Sequence, residues 1–459
     1  MEQSSLPTQD PSWRGHFRAT IRLGLPLVGS QLATIGLGVT DTVMLGWLGA
    51  ESLAAGVLGT QLFFVFFLTG SGLAHAVSPM VAVAAGEGDD ITLRRSVRMG
   101  LWSVLIFAAL SMPILWQANA IFVGLGQEPV LSALAADYLR IAQWALVLGL
   151  AHSVLRSYLS AMELAGIVLW ASIAGLCLNL VLDYVLIFGA FGLPAMGIRG
   201  AALATLGVHF LILVILVVYA ARHHALAHLA LFQRFWRADW GMLCAIFLLG
   251  WPISLTMLAE VSLFSLSSIM LGWIGTVELA AHGIALQIIS VIFMIPLGLA
   301  FAATVRVGRA AGRKDPQGVW RAAMTVIGLA VLVAGLAAVA LLAFPETLIR
   351  LFMDNDDPVL ADVIAYGVPL LAVAAGFQLV DMLQVVAAAL LRGLKDTRLP
   401  MMIAIVSYLG FGMITAYILG FHLEYGGIGV WAGLAAGLLL ASVLLLWRFV
   451  RLVRLLPEG

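Results

Sequence analysis

The feature that most constrains this chain is the recurrence of uninterrupted apolar runs of about twenty residues, such as Val326 to Phe344. About twenty such residues at a helical rise of about 1.5 Å match the hydrocarbon layer of a bilayer, so each run reads as a spanning helix. A membrane β-barrel would need segments of roughly ten residues with alternating polarity, and the runs are too long and too uniform for that. The residue balance agrees: 62% of the 459 residues are apolar, 10% are charged, and the mean hydropathy is +1.06. A solvated globular surface cannot be assembled from so few charges. The expected class is an all-α integral membrane protein.

Polar, Pro and Gly punctuation divides the chain into twelve expected spans, at 19–47, 53–84, 96–117, 131–153, 163–188, 197–220, 241–273, 279–310, 319–343, 359–390, 398–420 and 427–450. Lys and Arg accumulate beside spans on the side that is not translocated. With the amino terminus inside, every basic residue except Arg140, Arg199 and Arg350 falls on the inner side. Both termini are therefore expected in the cytoplasm, and the chain is expected to be a multi-pass inner-membrane protein. The expected organisation is a cytoplasmic tail at 1–18, a six-helix lobe at 19–221, a cytoplasmic linker at 222–240, a second six-helix lobe at 241–450 and a tail at 451–459. Met1 to Trp13 is polar and lacks the pattern of a cleaved signal, so the first span is expected to target the chain. In the linker, Arg234 and Arg237 interleave with Leu231, Phe232, Phe235, Trp236 and Trp240. An interfacial helix and a plain tether both fit that pattern.

The two halves repeat. With Pro26 laid on Pro252, Leu45-Gly46-Trp47-Leu48-Gly49 falls on Leu271-Gly272-Trp273-Ile274-Gly275, Gln61 on Gln287, Gly86 on Gly312 and Asp89 on Asp315, without a gap. Each half has an even number of spans, so the halves are expected to be parallel repeats related by an axis along the membrane normal, two lobes around a central cavity.

Four acids fall well inside expected spans: Asp41, Asp183, Glu260 and Asp381. An ionised carboxylate near the bilayer centre costs roughly 2.5 to 3.5 kcal/mol even on lenient scales, so each is expected to face protein or a wet cavity. Helical spacing agrees. Gln31, Thr34, Gly38 and Asp41 share one face of the first span, as do Asn179 and Asp183 in the fifth, Thr256, Glu260 and Ser267 in the seventh, and Gln378 and Asp381, with Gln384 close by, in the tenth. At about 1.5 Å per residue, Asp41 and Asp183 lie at one level, roughly 8 Å below the outer surface, with Thr205 of the sixth span roughly 12 Å deep. Two ionised carboxylates at one level repel, so the pair is expected to hold a shared proton or a sodium ion. Glu260 and Asp381 fall nearer the midplane. The expectation is one acidic site per half: Asp41, Asn179, Asp183 and Thr205 in the first, Glu260 and Asp381 in the second. Gln31, Thr34, Thr256, Gln378 and Gln384 are expected to supply further polar groups to the cavity. No basic residue is expected at the depth of these acids.

Other features carry less. His75, His152, His209 and His282 lie in apolar spans, where imidazole commonly satisfies itself against a neighbour. Prolines inside spans, notably Pro26, Pro79, Pro113, Pro296 and Pro369, break backbone bonds that must be re-satisfied within the bundle. Cys177 and Cys244 sit in apolar segments without metal-ligand or disulfide spacing and read as buried thiols. The run Asp354-Asn355-Asp356-Asp357 falls on an outer loop and reads as solvated. No metal site, cofactor or catalytic group is expected. Zero net charge and the lack of a basic stripe give no nucleic-acid partner.

Three stretches at matching span positions resemble the NorM-type branch of the multidrug and toxic compound extrusion (MATE) family. They are Gly38-Val39-Thr40-Asp41-Thr42-Val43-Met44, the segment from Pro252 through Glu260-Val261-Ser262-Leu263-Phe264, and Asp381-Met382-Leu383-Gln384-Val385-Val386-Ala387 followed by Leu391-Arg392-Gly393. The resemblance covers nearly the whole chain. It implies that Asp41, Glu260 and Asp381 stand where the family places its cation-coupling and drug-interacting carboxylates. Asn179 and Asp183 resemble the family's polar pair on the fifth helix. NorM-type members commonly carry Asn at the second of these positions, and Asp there is similar to the branch whose acidic site lies in the amino-terminal lobe.

The function expected on these grounds is antiport by a monomer in the bacterial inner membrane. Na⁺ or H⁺ would run inward while lipophilic organic cations are expelled, with membrane lipid as surroundings and no cofactor beyond the coupling ion. The sequence has no Gly-x-x-x-x-Gly-Lys-Ser/Thr phosphate loop, so ATP hydrolysis by that device is excluded. A lipid-linked saccharide flippase of the same superfamily is the alternative, and it would be expected to line its cavity with bases. An intramembrane enzyme acting on prenyl diphosphates would need paired aspartates on a cytoplasmic loop to hold magnesium, and the one dense aspartate run, Asp354 to Asp357, falls on the outer side.

Overall fold

Among the described residues, twelve helices are long and apolar enough to cross a bilayer: α1 Trp13–Leu48, α2 Ala50–Glu87, α3 Asp90–Trp116, α4 Pro129–Ala161, α5 Ala165–Phe188, α6 Ile198–Arg222, α7 Trp240–Ile274, α8 Thr276–Gly312, α9 Pro316–Ala343, α10 Leu360–Gly393, α11 Arg398–His422 and α12 Gly426–Val453. They belong to a computed structural model that describes residues 12–354 and 357–456. Most of the polar amino-terminal segment and the centre of the Asp354–Asp357 run lie outside the described residues. All twelve expected spans are met, and no strand occurs among the described residues. Several helices overrun their apolar stretch: α1 begins at Trp13 rather than 19, and α4 runs to Ala161 rather than 153. The cause is the backbone, whose N–H and C=O groups stay paired inside the helix as it leaves the hydrocarbon layer.

The sequence repeat returns as repeated local structure. Asp89 caps α3, its carboxylate accepting from Ile91 N at 3.1 Å and Thr92 N at 2.9 Å. Asp315, its equivalent, caps α9 by accepting from Gly318 N at 2.8 Å. Each satisfies a donor that the first helical turn leaves open. The Thr92 contact, first its side chain and then its backbone N–H, holds the Asp89 carboxyl below the usual carboxylate range. Immediately before each cap the chain turns through a left-handed residue, Gly88 at φ 74° and Lys314 at φ 56°. Glycine takes that conformation freely, whereas lysine takes it against a steric cost.

The chain forms two units. The first is Gly29–Ser254, and the second joins the described part of Gln9–Val28 to that of Leu255–Gly459. The first therefore contains the leading turns of α7, and the second the leading turns of α1. Close backbone approach explains both placements. In the first unit a Cβ on Gly72 of α2 would lie 2.5 Å from Ser254 N. In the second a Cβ on Gly298 of α8 would lie 2.6 Å from Val28 N. Gly72 and Gly298 are repeat equivalents, as are Val28 and Ser254. In each case glycine admits a contact that any side chain would block.

In the second unit, α11 is not uniformly α-helical: Val406–Gly412 and Ile418–His422 are π-helical. It packs on α12 through Gly429, Gly433 and Gly437, and a Cβ on Gly437 would sit 2.7 Å from Gly412 Cα.

The linker contains one short helix, His224–Ala227, followed by turns, so no amphipathic helix runs through its aromatic and basic positions. It is nevertheless tied to α3. Arg95 Nε meets Asp239 Oδ2 at 2.5 Å, Trp102 Nε1 donates to Phe235 O at 3.0 Å, and Arg98 Nη1 donates to Arg234 O at 3.3 Å. The Arg95 guanidinium holds the Asp239 carboxyl below its usual range.

One expectation changes. Cys177 and Cys244 are exposed rather than buried, because a lipid-facing position is as apolar as a packed one. Arg140 and Arg199, two of the three exceptions to the charge bias, share one partner, with contacts to Asp137 of 3.1 and 2.7 Å.

Candidate functional site

In the first unit Asp41 lies on α1 beyond the Pro26 kink position. Asn179 and Asp183 lie one turn apart on a single face of α5. The structure joins them: Asn179 Nδ2 donates to Asp41 Oδ1 at 2.9 Å, and the Asp183 carboxyl lies beside that of Asp41. Asp183 is fully buried, and neither of its oxygens receives a hydrogen bond of acceptable geometry. Asn179 Oδ1 is also buried and without a donor. Thr205 of α6 donates to Ala201 O at 3.0 Å, and its side chain faces the Tyr138 hydroxyl.

Tyr138 and Thr60 were not among the expected members. Tyr138, on α4, is buried within electrostatic reach of both Asp41 and Asp183, and Thr60 of α2 donates to its hydroxyl at 3.4 Å. A tyrosine near a span end ordinarily reads as an interfacial anchor, so its sequence position carries no signal for this role. The site thus draws on α1, α2, α4, α5 and α6.

Gln31 and Thr34 share the face of Asp41 but not its cluster. Gln31 Oε1 accepts from the Arg156 guanidinium of α4, and the Thr34 hydroxyl donates to Ser30 O of its own helix at 2.9 Å.

In the second unit Glu260 of α7 and Asp381 of α10 lie within electrostatic reach of one another. Asp381 is 1% exposed, and its Oδ1 has no partner. Gln378, one turn before it, is fully buried with neither amide atom bonded. Gln384 lies beside the buried Tyr408 hydroxyl of α11, and its Oε1 is without a partner. Thr256 is buried one turn before Glu260.

The expectation that no base reaches the depth of the acids is corrected in this unit. The Arg392 guanidinium acts electrostatically on Glu260. Arg156 likewise extends inward to Gln31. Long basic side chains place their charge several ångströms from their Cα, so a depth read from sequence position misplaces it.

Most of these orphaned atoms are acceptors, Gln378 Nε2 being a donor. Buried polar groups are ordinarily paired, and here acceptor oxygens without donors gather around each pair of acids. Two carboxylate oxygens cannot bond one another without a proton or metal cation between them. Each constellation thus presents carboxylate oxygens to which a small cation or a proton can bind.

The imidazoles divide. His282 is satisfied at both nitrogens: Trp431 Nε1–H donates to Nδ1 at 3.0 Å, so Nε2 carries the proton and faces Ser268 Oγ at 3.0 Å. His152 and His209 stack with ring centroids 5.2 Å apart.

A family model described as MatE matches residues 26–185 and 252–418. The chain belongs to the MatE family. Its members are membrane transporters and not enzymes, and the resemblance read from the stretches around Asp41, Glu260 and Asp381 is borne out. The two matches begin at Pro26 and Pro252, the pair that sets the register of the repeat. Among curated proteins, the chain is 50% identical to a probable multidrug resistance protein NorM of Rhizobium meliloti, over 98% of this chain and 96% of that one. A protein of the same description from Agrobacterium fabrum is 48% identical, over 98% and 97%. Among solved structures, a MATE protein in complex with MaL6 superposes with a TM-score of 0.88 at 21% identity, covering 97% of this chain and 98% of that one. A MOP-superfamily transporter from Pyrococcus furiosus superposes at 0.86 with 20% identity, covering 97% of each. At those identities the structures establish the fold.

Proposed function

We propose that this MatE-family chain is a multidrug exporter that couples inward movement of Na⁺ or H⁺ to expulsion of lipophilic organic cations by alternating access, as a monomer in the bacterial inner membrane. The observation that carries the reading is the Asp41–Asp183 pair, buried side by side with no donor on Asp183. Asn179, Thr205 and Tyr138 complete a small oxygen-rich site for the coupling ion. Glu260 and Asp381, with Gln378, Gln384 and Thr256, form the second site, which binds the coupling ion, the drug or both in turn. The description of the bacterial relatives as multidrug resistance proteins supports the substrate class. The energetics suffice. One monovalent cation crossing about 100 mV releases about 2.3 kcal/mol, which at about 1.4 kcal/mol per decade sustains a gradient of roughly fifty-fold.

The test loads membrane vesicles with a quaternary ammonium dye and, separately, with an anionic dye of similar size. Carboxylates with apolar surroundings predict efflux of the cation that stops when the ion gradients are collapsed. Preferential efflux of the anion would refute the reading.

A further inference from the structure

At the arginine-rich end of the second unit, the first turns of α1 and the facing stretch of α9 line an open cleft of about 490 Å³. That volume falls in the range of about 300 to 1,000 Å³ typical of ligand sites. Trp13, Phe17, Met324, Leu329 and Leu332 make apolar walls, and Gly328 opens the floor. A Cβ at Gly328 would meet no atom within 4 Å, so the space is not closed by packing. Trp13, Phe17 and Leu332 are each more than half exposed, so the cleft opens outward from the bundle.

The polar groups at the cleft are few, and they differ in what they need. The Thr325 hydroxyl is already engaged, donating to Arg321 O at 2.7 Å. Arg14 is exposed and has no ion pair among the described residues. Deeper in the same unit the leading turns of α1 are held by Arg306, whose Nη1 donates to His16 O at 2.8 Å and whose Nη2 meets His16 Nδ1 at 2.9 Å.

We infer that this cleft is a specific site for an anionic glycerophospholipid, with an acyl chain along Gly328 and Leu332 and the phosphodiester on Arg14. Both halves of the ligand follow from the site. An apolar cleft open to the outside of a membrane-spanning helix pair is filled by hydrocarbon. The guanidinium at its mouth selects a headgroup with net negative charge and repels a cationic amphiphile. A water-soluble anion would satisfy Arg14 but gain nothing from the apolar walls. The lipid would pin Trp13 and Phe17 to α9 beside the Arg306–His16 contacts and so brace the leading turns of the helix that carries Asp41. Binding here does not depend on the proposed transport activity, and its test does not use transport.

The experiment titrates the purified full-length chain in detergent with phosphatidylglycerol and with phosphatidylcholine, counting retained lipids by native mass spectrometry. One phosphatidylglycerol is expected to be retained in preference to phosphatidylcholine. Arg14→Gln is expected to weaken that binding about five-fold, the factor one basic residue confers at an anionic membrane surface, and to leave phosphatidylcholine unchanged. Gly328→Leu, which fills the cleft without displacing a neighbour at its Cβ, is expected to reduce both lipids with an unchanged melting temperature. Equal retention of the two lipids would overturn the inference, as would phosphatidylglycerol binding that neither substitution alters. No retained lipid on the full-length chain would overturn it. A dimer abolished by Gly328→Leu would overturn it in favour of a second copy.

Discussion

Asn179 gives an amide proton to Asp41 at 2.9 Å and leaves Asp183, one turn along the same helix, without a donor on either oxygen. The asymmetry separates the roles of the two acids. Asp41 is oriented by a neighbour, and under the proposed function Asp183 is the acid that takes up the cation or proton. Asp41→Asn is therefore expected to leave drug binding measurable but uncoupled from the ion gradient. Asp183→Asn, which removes the repelling charge and adds a donor, is expected to keep more transport and to change its pH profile. Full activity with an unaltered pH profile in Asp183→Asn would show that Asp183 only packs.

Tyr138 supplies the hydroxyl that faces Thr205 and Thr60 within reach of both acids. Tyr138→Phe preserves the ring and removes that oxygen. The expected outcome is a several-fold weaker apparent affinity for the coupling ion, since one hydrogen bond is worth about 0.5 to 1.5 kcal/mol. The melting temperature should barely move. Ion-concentration dependence of dye efflux measures it, and an unchanged half-saturation would remove Tyr138 from the site.

In the second unit Glu260→Gln and Asp381→Asn are each expected to reduce coupled efflux strongly while the protein stays folded. For Asp381 a neutral amide removes a desolvation cost and strands no paired charge. For Glu260 the nearby Arg392 would be left with less compensation, so Glu260→Gln is expected to lower the melting temperature more than Asp381→Asn does. Thermal unfolding in detergent alongside efflux separates the two effects. Transport like that of the parent chain in both variants would rule out the assignment.

Lys314 occupies a left-handed turn where its repeat equivalent is Gly88. Lys314→Gly is expected to stabilise the second unit by up to about 1 kcal/mol, the steric cost relieved less the entropy that glycine adds to the unfolded chain. Thermal unfolding of the purified chain tests this, and a loss of stability would show that the lysine side chain makes a compensating contact.

The linker clamp carries a pH dependence of definite sign. Because Arg95 holds the Asp239 carboxyl below its usual value, the contact contributes fully above about pH 4 and is lost as the pH falls through the lowered folded-state value. Protection of the Phe235 to Asp239 amides, taken relative to their intrinsic exchange rate at each pH, is expected to be high at neutral pH and to drop selectively below that point. Arg95→Gln should give the low protection already at neutral pH. Exchange that Arg95→Gln leaves unchanged would show that Trp102 and Arg98 hold the linker alone.

What could be read from the residues follows physical lines. Hydrocarbon thickness makes spans legible, and the repeat was legible down to the matched caps Asp89 and Asp315. The cost of buried charge singled out Asp41, Asp183, Glu260 and Asp381, and helical spacing brought in Asn179. Tyr138, the inward reach of Arg156 and Arg392, and the π-helical turns of α11 were not legible, because they depend on side-chain direction and backbone register rather than residue type. Cys177 and Cys244 were misplaced because hydrophobicity does not distinguish a lipid-facing position from a packed one.

The central claim is that the buried acids exchange an ion for a drug, and the most direct measurement is substrate-dependent ion flux. Purified protein in proteoliposomes, loaded with a lipophilic dye cation and given an inward Na⁺ or H⁺ gradient, is expected to admit that ion in step with dye release. Asp41→Asn should abolish the ion movement. Dye release that proceeds at the same rate with both gradients collapsed, or ion entry that ignores the dye, would contradict the account.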